Sequence, residues 1–303
     1  MITIDNASKS FYGKNAIENC SFSIEKGSIF GLIGPNGAGK TTIIKAILDI
    51  YKLDKGEIKI DGELIDDNSL IKAKIGYVAD ENKYFTSYKI KEILKFYKMT
   101  YKDFDESRFY ELNEILKLPL DRSIGRLSKG MKMRLSFMLN LSIRPEILIM
   151  DEPTSGLDPI VRKQVVDILL EEAYDRQTTI LISSHNLGEL ERICDTVAIM
   201  NDGKIEYINS IDEMKNSLFK IQVAFDEEID EDFNNWKEVI KVEKMGRMYT
   251  LITKNNSEEF MIKLNSLGMV FSQEINLSLE DIFIYYISEN VNLDFIAEDE
   301  VKI

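Results

Sequence analysis

Eight consecutive residues, Gly34-Pro35-Asn36-Gly37-Ala38-Gly39-Lys40-Thr41, lie between an apolar run at 28–33 and a helix-forming run at 41–50. A strand that ends in a glycine-rich turn and opens a helix aims successive backbone N–H groups, and the positive end of the helix dipole, at one point. Polyphosphate is the ligand such a point selects. Lys40 is expected to reach the outer phosphates as a charge, and the Thr41 hydroxyl to enter the shell of a phosphate-bound magnesium ion. Thr42, next in the first helical turn, is grouped with the loop as a nucleotide contact.

A second chemical pair stands at Asp151-Glu152, directly after the apolar run 147–150 and before Pro153. A carboxylate at the tip of a buried strand beside a phosphate loop is suited to hold magnesium through water, and Asp151 has that place. Glu152 can hold and polarise the water that attacks a terminal phosphate. Two acids in that position are more than a helix cap needs.

Elements must bring these groups together. Alternating runs in residues 1–30, divided by Gly13 and by Lys26-Gly27, read as antiparallel strands of an edge sheet. Strands are also expected at 56–62 and 75–78, and a largely helical insertion at about 82–145, with helical spacing at Ile90, Ile93, Leu94, Tyr97 and at Leu112, Ile115, Leu116. Continuous apolar strands at 147–150 and 179–182, separated by a helix at 160–174, argue for a parallel α/β sheet. A hairpin at 197–207 closes this first domain, residues 1–212, and 208–217 reads as a linker. Residues 217–303 form a small α+β domain, with strands at 219–225, 248–252 and 270–275 and helices near 257–267 and 279–288.

Composition bounds the rest. The 303 residues carry a formal net charge of −14. Residues 211–303 hold 20 acidic and 9 basic side chains, against 32 and 29 in residues 1–210, so the surplus acid sits in the last third. That argues against a nucleic-acid partner, which requires a basic face. No basic and apolar leader opens the chain, and nowhere do 18 apolar residues run together. The chain is therefore expected to be neither exported nor membrane-spanning. Cys20 and Cys194 stand singly among apolar neighbours, as core residues of a protein in a reducing cytosol.

Taken in order and spacing, Gly34 to Thr41, Leu127-Ser128-Lys129-Gly130-Met131, 147–152, Ser155-Gly156-Leu157-Asp158 and His185 resemble the ATP-binding cassette of ABC transporters over about residues 1–210. The resemblance implies the ABC ATPase fold, a P-loop NTPase core with an antiparallel β edge sheet and a helical insertion. It implies ATP and Mg2+ as cofactors and a site shared between two subunits, a homodimer or a related heterodimer. Ser128 and Gly130 would meet the terminal phosphate held by the loop of the second subunit. Tyr12 matches the aromatic that stacks on adenine; the alternative is a strand-end aromatic in the core, and Phe11 beside it is the competing candidate. His185, the chain's one histidine, falls at the family's switch position, touching the terminal phosphate and the attacking water. Lys40, Glu152 and His185 are thus the expected catalytic residues. Ser155 and Asp158 match the loop that crosses the dimer interface, and both could equally cap the following helix.

The chain departs from the family pattern at three positions. Lys129 stands where Gly is usual, Met131 where Gln is usual, and Asp80 where a glutamine touches magnesium and the attacking water. Asp80, with Thr41 and Asp151, is kept as a metal residue. Three readings of it stay open: the ion is held differently, coupling is tuned, or Asp80 turns outward and caps the helical insertion. The function implied is an ATP-hydrolysing subunit that powers a separate membrane permease for export, peripheral on the cytoplasmic face of the membrane. The permease would meet the helical insertion just past residues 79–85. The stretch 278–283 resembles one found in short extensions of export-type cassettes. The alternatives are a soluble ABC-type ATPase not coupled to transport and a weakly hydrolysing regulatory subunit.

Overall fold

The computed structural model describes residues 1–81, 86–216, 218–229, 231–254 and 257–282, which form two compact units, Met1–Ile208 and the residues from Asn209 on. The first opens with β1 (Ile2–Phe11) and β2 (Lys14–Ile24), a hairpin whose turn, Tyr12-Gly13, has positive φ at both residues. That turn matches the right-handed twist of the strands it joins. Next come β3 (Ile29–Ile33), α1 (Lys40–Ile47), β4 (Lys55–Ile60), the short β5 (Glu63–Leu64), α2 (Ser69–Lys72) and β6 (Ile75–Val78). Helices α3 (Ile90–Thr100), α4 (Glu106–Leu116) and α5 (Lys129–Ser142) make the insertion. The chain then returns through β7 (Ile147–Asp151), α6 (Pro159–Arg176), β8 (Thr179–Ser184), α7 (Leu187–Leu190), β9 (Thr196–Asn201) and β10 (Lys204–Ser210).

Two sheets result. The antiparallel one has the order β2-β1-β4-β5, and the larger one the order β10-β9-β3-β8-β7-β6, in which β9, β3, β8, β7 and β6 pair in parallel. Parallel strands covered on both faces read as continuous apolar runs, and β7 and β8 are buried throughout. The core they share with the antiparallel sheet gathers Ile4, Phe22, Leu32, Ile43, Ile149 and Met200, each of which contributes about 1.5 to 3 kcal/mol by leaving water. At the β6 edge, Asn140 of α5 accepts from the Tyr77 N–H (2.9 Å), so the insertion occupies an otherwise open ladder position. A buried ion pair ties α4 to α6: an Arg108 guanidinium nitrogen lies 2.7 Å from Glu172 Oε1. Among the described residues no helix is long and apolar enough to cross a membrane.

The second unit holds α8 (Ile211–Asn216), β11 (Phe219–Phe225), β12 (Val239–Met245), β13 (Met248–Thr253), α9 (Glu258–Ser266) and β14 (Met269–Ile275). Its antiparallel sheet runs β12-β13-β11-β14 over an aromatic core in which Phe233 meets Trp236 and Tyr249 edge-on, each at 5.1 Å.

Three expectations are corrected. The stretch expected as a linker is structured over 208–216: β10 runs to Ser210 and turns directly into α8, because Ser210 Oγ accepts from the Glu213 N–H and Ile211 and Met214, three apart, are both buried. Strand β12 went unread because Lys241, Glu243 and Lys244 interrupt its apolar alternation; it is an edge strand, where charges face water. On α4 the inward stripe is Phe109, Leu112 and Leu116, leaving Ile115 exposed. Of the helix expected at 279–288, only 279–282 lie among the described residues. There Ser278 and Asp281 cap each other, Ser278 Oγ donating to Asp281 (2.7 Å) and accepting from the Asp281 N–H (3.1 Å).

Candidate active site

Helix α1 has no side-chain cap. Gly39 stands at its N-cap with φ +107°, and the first N–H groups of the helix have no partner within it. Helices α4, α5, α6 and α9 are capped instead by Asp105, Ser128, Asp158 and Ser257. An uncapped N-terminus reached through glycines is an anion seat. The loop before it is held from behind, since Gly203 N–H of the β9–β10 turn donates to Ala38 O (2.9 Å) and the Glu18 N–H donates to Gly203 O (2.8 Å). Gly34 packs so closely that a Cβ there would lie 2.2 Å from Met200 O, whereas Gly37, at φ +87°, has nothing within 4 Å.

In front of the loop lies a cleft of about 610 Å³, in the range of small-molecule sites. Residues 35–37 and 39–42 line it, facing Tyr77, Asp80, Asp151 and Glu152. Lys40 is only 6% exposed, and its Nζ donates to Gly34 O (2.6 Å) and Pro35 O (3.2 Å), folded back on its own loop. Asp151, 3% exposed, accepts from Thr41 Oγ1 (2.8 Å) and from Ser183 Oγ (2.6 Å). Ser183 was missed by the sequence reading. It lies opposite Asp151 in the parallel β7–β8 register, and the one signal for it is a hydroxyl pair, Ser183-Ser184, ending an otherwise apolar strand. Burial, together with the charges of Asp151 and Asp80, pushes the Tyr77 phenol up to about 12, so it stays neutral.

Glu152 leaves β7 with φ +50°, a left-handed conformation that costs a non-glycine residue of order 1 kcal/mol or more and is held by its N–H donating to Ser183 O (3.1 Å). Its Oε2 lies 2.8 Å from His185 Nδ1, whereas its buried Oε1 has no hydrogen-bond partner, Lys40 Nζ standing off at 3.6 Å. An orphaned carboxylate oxygen at a cleft wall is a seat for water. His185 is 62% exposed.

Tyr12, Ser128, Gly130, Asp158 and His185 do not line the cleft. Tyr12 is fully exposed on its hairpin turn, while Phe11 packs edge-on against Tyr51 at 5.1 Å; of the two aromatics, Phe11 is the packed one. Ser128 caps α5, its Oγ accepting from the Met131 N–H (3.2 Å). Gly130 allows a close approach, because a Cβ there would lie 2.5 Å from Gly156 O. Asp158 caps α6 through the Ile160 and Val161 N–H groups. Asp80 does not cap the insertion: it lines the cleft, and its Oδ1 accepts from Lys129 Nζ (2.7 Å).

The donor set fits magnesium bound with a nucleotide. Among the described residues no group of three or more His, Cys, Asp or Glu side chains makes a metal cage, while the Thr41 hydroxyl and Asp151 carboxylate are hard oxygen donors side by side. Magnesium characteristically takes one or two such groups and fills its shell with phosphate and water.

Residues 17–155 match the family model described as ABC transporter, and residues 120–191 one described as AAA domain, putative AbiEii toxin, Type IV TA system. The chain is similar to the ABC transporter ATP-binding protein YtrB of Bacillus subtilis, at 32% identity over 284 residues that cover 94% of this chain and 97% of the relative. The bacitracin transport ATP-binding protein BcrA of Bacillus licheniformis is 33% identical over 208 residues, 68% of each chain. Among solved structures, an ATP-binding subunit of an ABC transporter aligns with a TM-score of 0.65 at 26% identity, covering 71% of this chain and 92% of its own. A dimeric ATP-binding cassette in a post-hydrolysis state with ADP and Pi aligns with a TM-score of 0.65 over 70% of this chain and 99% of its own; at 21% identity it shows the shared fold.

Proposed function

The chain belongs to the ABC transporter family as an ATP-binding subunit and ATP hydrolase, and from that premise we propose that two such subunits sandwich ATP to drive a separate membrane-spanning permease in export. The observation that carries the catalytic reading is the split environment of Glu152: Oε2 is engaged by His185, and the buried Oε1 is left open beside Lys40. In the proposed reaction water lodged at Oε1 attacks the terminal phosphorus, its proton passes to the Glu152 carboxylate, and the bond to the bridging oxygen of the departing ADP breaks. Lys40, turned from its carbonyl partners toward phosphate, and the free N–H groups of α1 offset the negative charge that spreads over the transferring group. His185 orients Glu152 and reaches toward the terminal phosphate, and Tyr12 stacks on adenine, a contact worth about 1 kcal/mol or more. Thr41 and Asp151 would hold the magnesium ion that accompanies ATP and supplies charge neutralisation there, Asp151 through water.

Export is favoured by the likeness of 278–283 to the extensions of export-type cassettes, and coupling to transport by similarity over 68% of the chain to a bacitracin transport ATP-binding protein. The site lies at the membrane's inner face through the permease, with no nucleic acid involved. Glu152→Gln is expected to keep ATP binding and reduce turnover by a hundredfold or more, trapping an ATP-bound dimer, while the wild type co-purifies from membranes with a multi-span protein. Normal hydrolysis by the variant would reject the catalytic assignment, and recovery on ribosomes or DNA would reject coupling to transport.

A further inference from the structure

The two charged departures from the family pattern touch each other. Lys129 Nζ donates to Asp80 Oδ1 (2.7 Å) and also to Ser155 Oγ (3.2 Å). Its stem lies along Gly156, where an added Cβ would come 3.6 Å from Lys129 Cδ, and the adjoining Gly130 is pressed against Gly156 O. The loop after β6, the first turn of α5 and the loop after β7 thus meet in one joint at the edge of the nucleotide cleft, which Asp80 itself lines. Both ionic partners are about half exposed, 52% for Lys129 and 42% for Asp80. A pair so placed is weak and biases an equilibrium by about two- to fivefold.

We propose that Asp80, Lys129 and Ser155 form a latch that is closed in the separate chain and opens when the terminal phosphate of ATP on a second copy draws Lys129 away. This rests on the reading of the site as shared between two subunits. A triphosphate presents several negative charges to the start of α5, where the helix dipole favours an anion even with the Met131 N–H capped by Ser128, whereas Asp80 presents one. Lys129 therefore has two successive partners: Asp80 in the same chain, whose charge it offsets beside the cleft, and then phosphate in the other.

The test uses the full chain carrying Glu152→Gln, with ATP-dependent dimerisation followed by sedimentation velocity. Adding Asp80→Asn frees Lys129 and should tighten the dimer two- to fivefold; Lys129→Ala should weaken it, and Lys129→Arg should restore it. The gain from Asp80→Asn should vanish when Lys129→Ala is also present. A gain that persists without Lys129 overturns the latch, as does an Asp80→Asn dimer that is unchanged or weaker. Ser155→Ala, which removes the second acceptor, should act in the same direction as Asp80→Asn and guards against a poorly folded Asp80 variant. In the nucleotide-free chain, hydrogen exchange at 130–132 should quicken with Asp80→Asn and with Lys129→Ala; unchanged exchange in both overturns the closed state. If Glu152→Gln alone forms no dimer with ATP, the shared-site reading fails and the release step falls with it, while the exchange measurement still decides the closed contact.

Discussion

Asp151 is held by two hydroxyls, and only one of them belongs to the phosphate loop. On the proposed reading Thr41 contacts the nucleotide directly, whereas Ser183 acts through Asp151 and through the Glu152 N–H, which lies 3.2 Å from its Oγ, and is a positioning residue. Ser183→Ala removes a short hydrogen bond to a buried carboxylate, an interaction of about 1.5 to 3 kcal/mol. The variant should fold normally and hydrolyse ATP roughly tenfold more slowly, with the larger change in kcat rather than KM; steady-state ATPase kinetics decide this, and wild-type kcat would remove Ser183 from the site. The contrast also shows what a sequence discloses. Gly34 to Thr41 and Asp151-Glu152 are contiguous, and their meaning follows from local order. Ser183 and the Lys129–Asp80 contact depend on strand register and on how an insertion folds back, which no local spacing reveals.

At the level of elements, the joint between insertion and core is sealed by Arg108 on α4 and Glu172 on α6. Burial pushes the Glu172 carboxyl above its ordinary range against the opposing pull of Arg108, while at the guanidinium burial is outweighed by Glu172 and its acidic neighbours, which hold Arg108 charged. Arg108→Ala leaves the buried Glu172 carboxylate with only Arg176, 3.7 Å away, and should destabilise the first unit by about 3 kcal/mol. Replacing both, Arg108→Met with Glu172→Leu, should recover most of that loss. Thermal unfolding of the single and double variants measures it, and a double variant as unstable as the single would mean that the pair contributes net stability. The elements themselves were largely readable: apolar runs marked β3, β7 and β8, and helical spacing marked α3 and α4. The errors fell where one polar feature spoke against the pattern, as with the lysines and glutamate of β12, or where a two-residue apolar stripe was too short to notice, as in α8.

For the whole molecule, the start of α5 touches the rim of the cleft through Lys129 and Asp80 but contributes no wall to it. Ser128 and Gly130 do not line the cleft that holds the phosphate loop. On the shared-site reading, ATPase activity per molecule should rise with protein concentration and level off as the chains pair, an outcome read from initial rates over a dilution series; activity independent of concentration would mean that one chain is sufficient. The surplus acid in the second unit was evident from composition, and its aromatic core was not, because Phe225, Phe233, Trp236, Tyr249 and Phe260 are scattered along the sequence and converge only when the sheet forms.

Gly34 and Gly37 belong to one short motif, yet they answer to different constraints. At Gly34 the protein's own interior refuses any side chain, since Met200 O already fills the space; at Gly37 that space is empty and only backbone handedness and an incoming ligand set a limit. Were ATP binding removed, a side chain at 34 would still be barred outright by the packed interior, and one at 37 would still meet the strain of a left-handed backbone but no collision. Glycine at 34 thus answers to space, and glycine at 37 to handedness and to what enters the cleft.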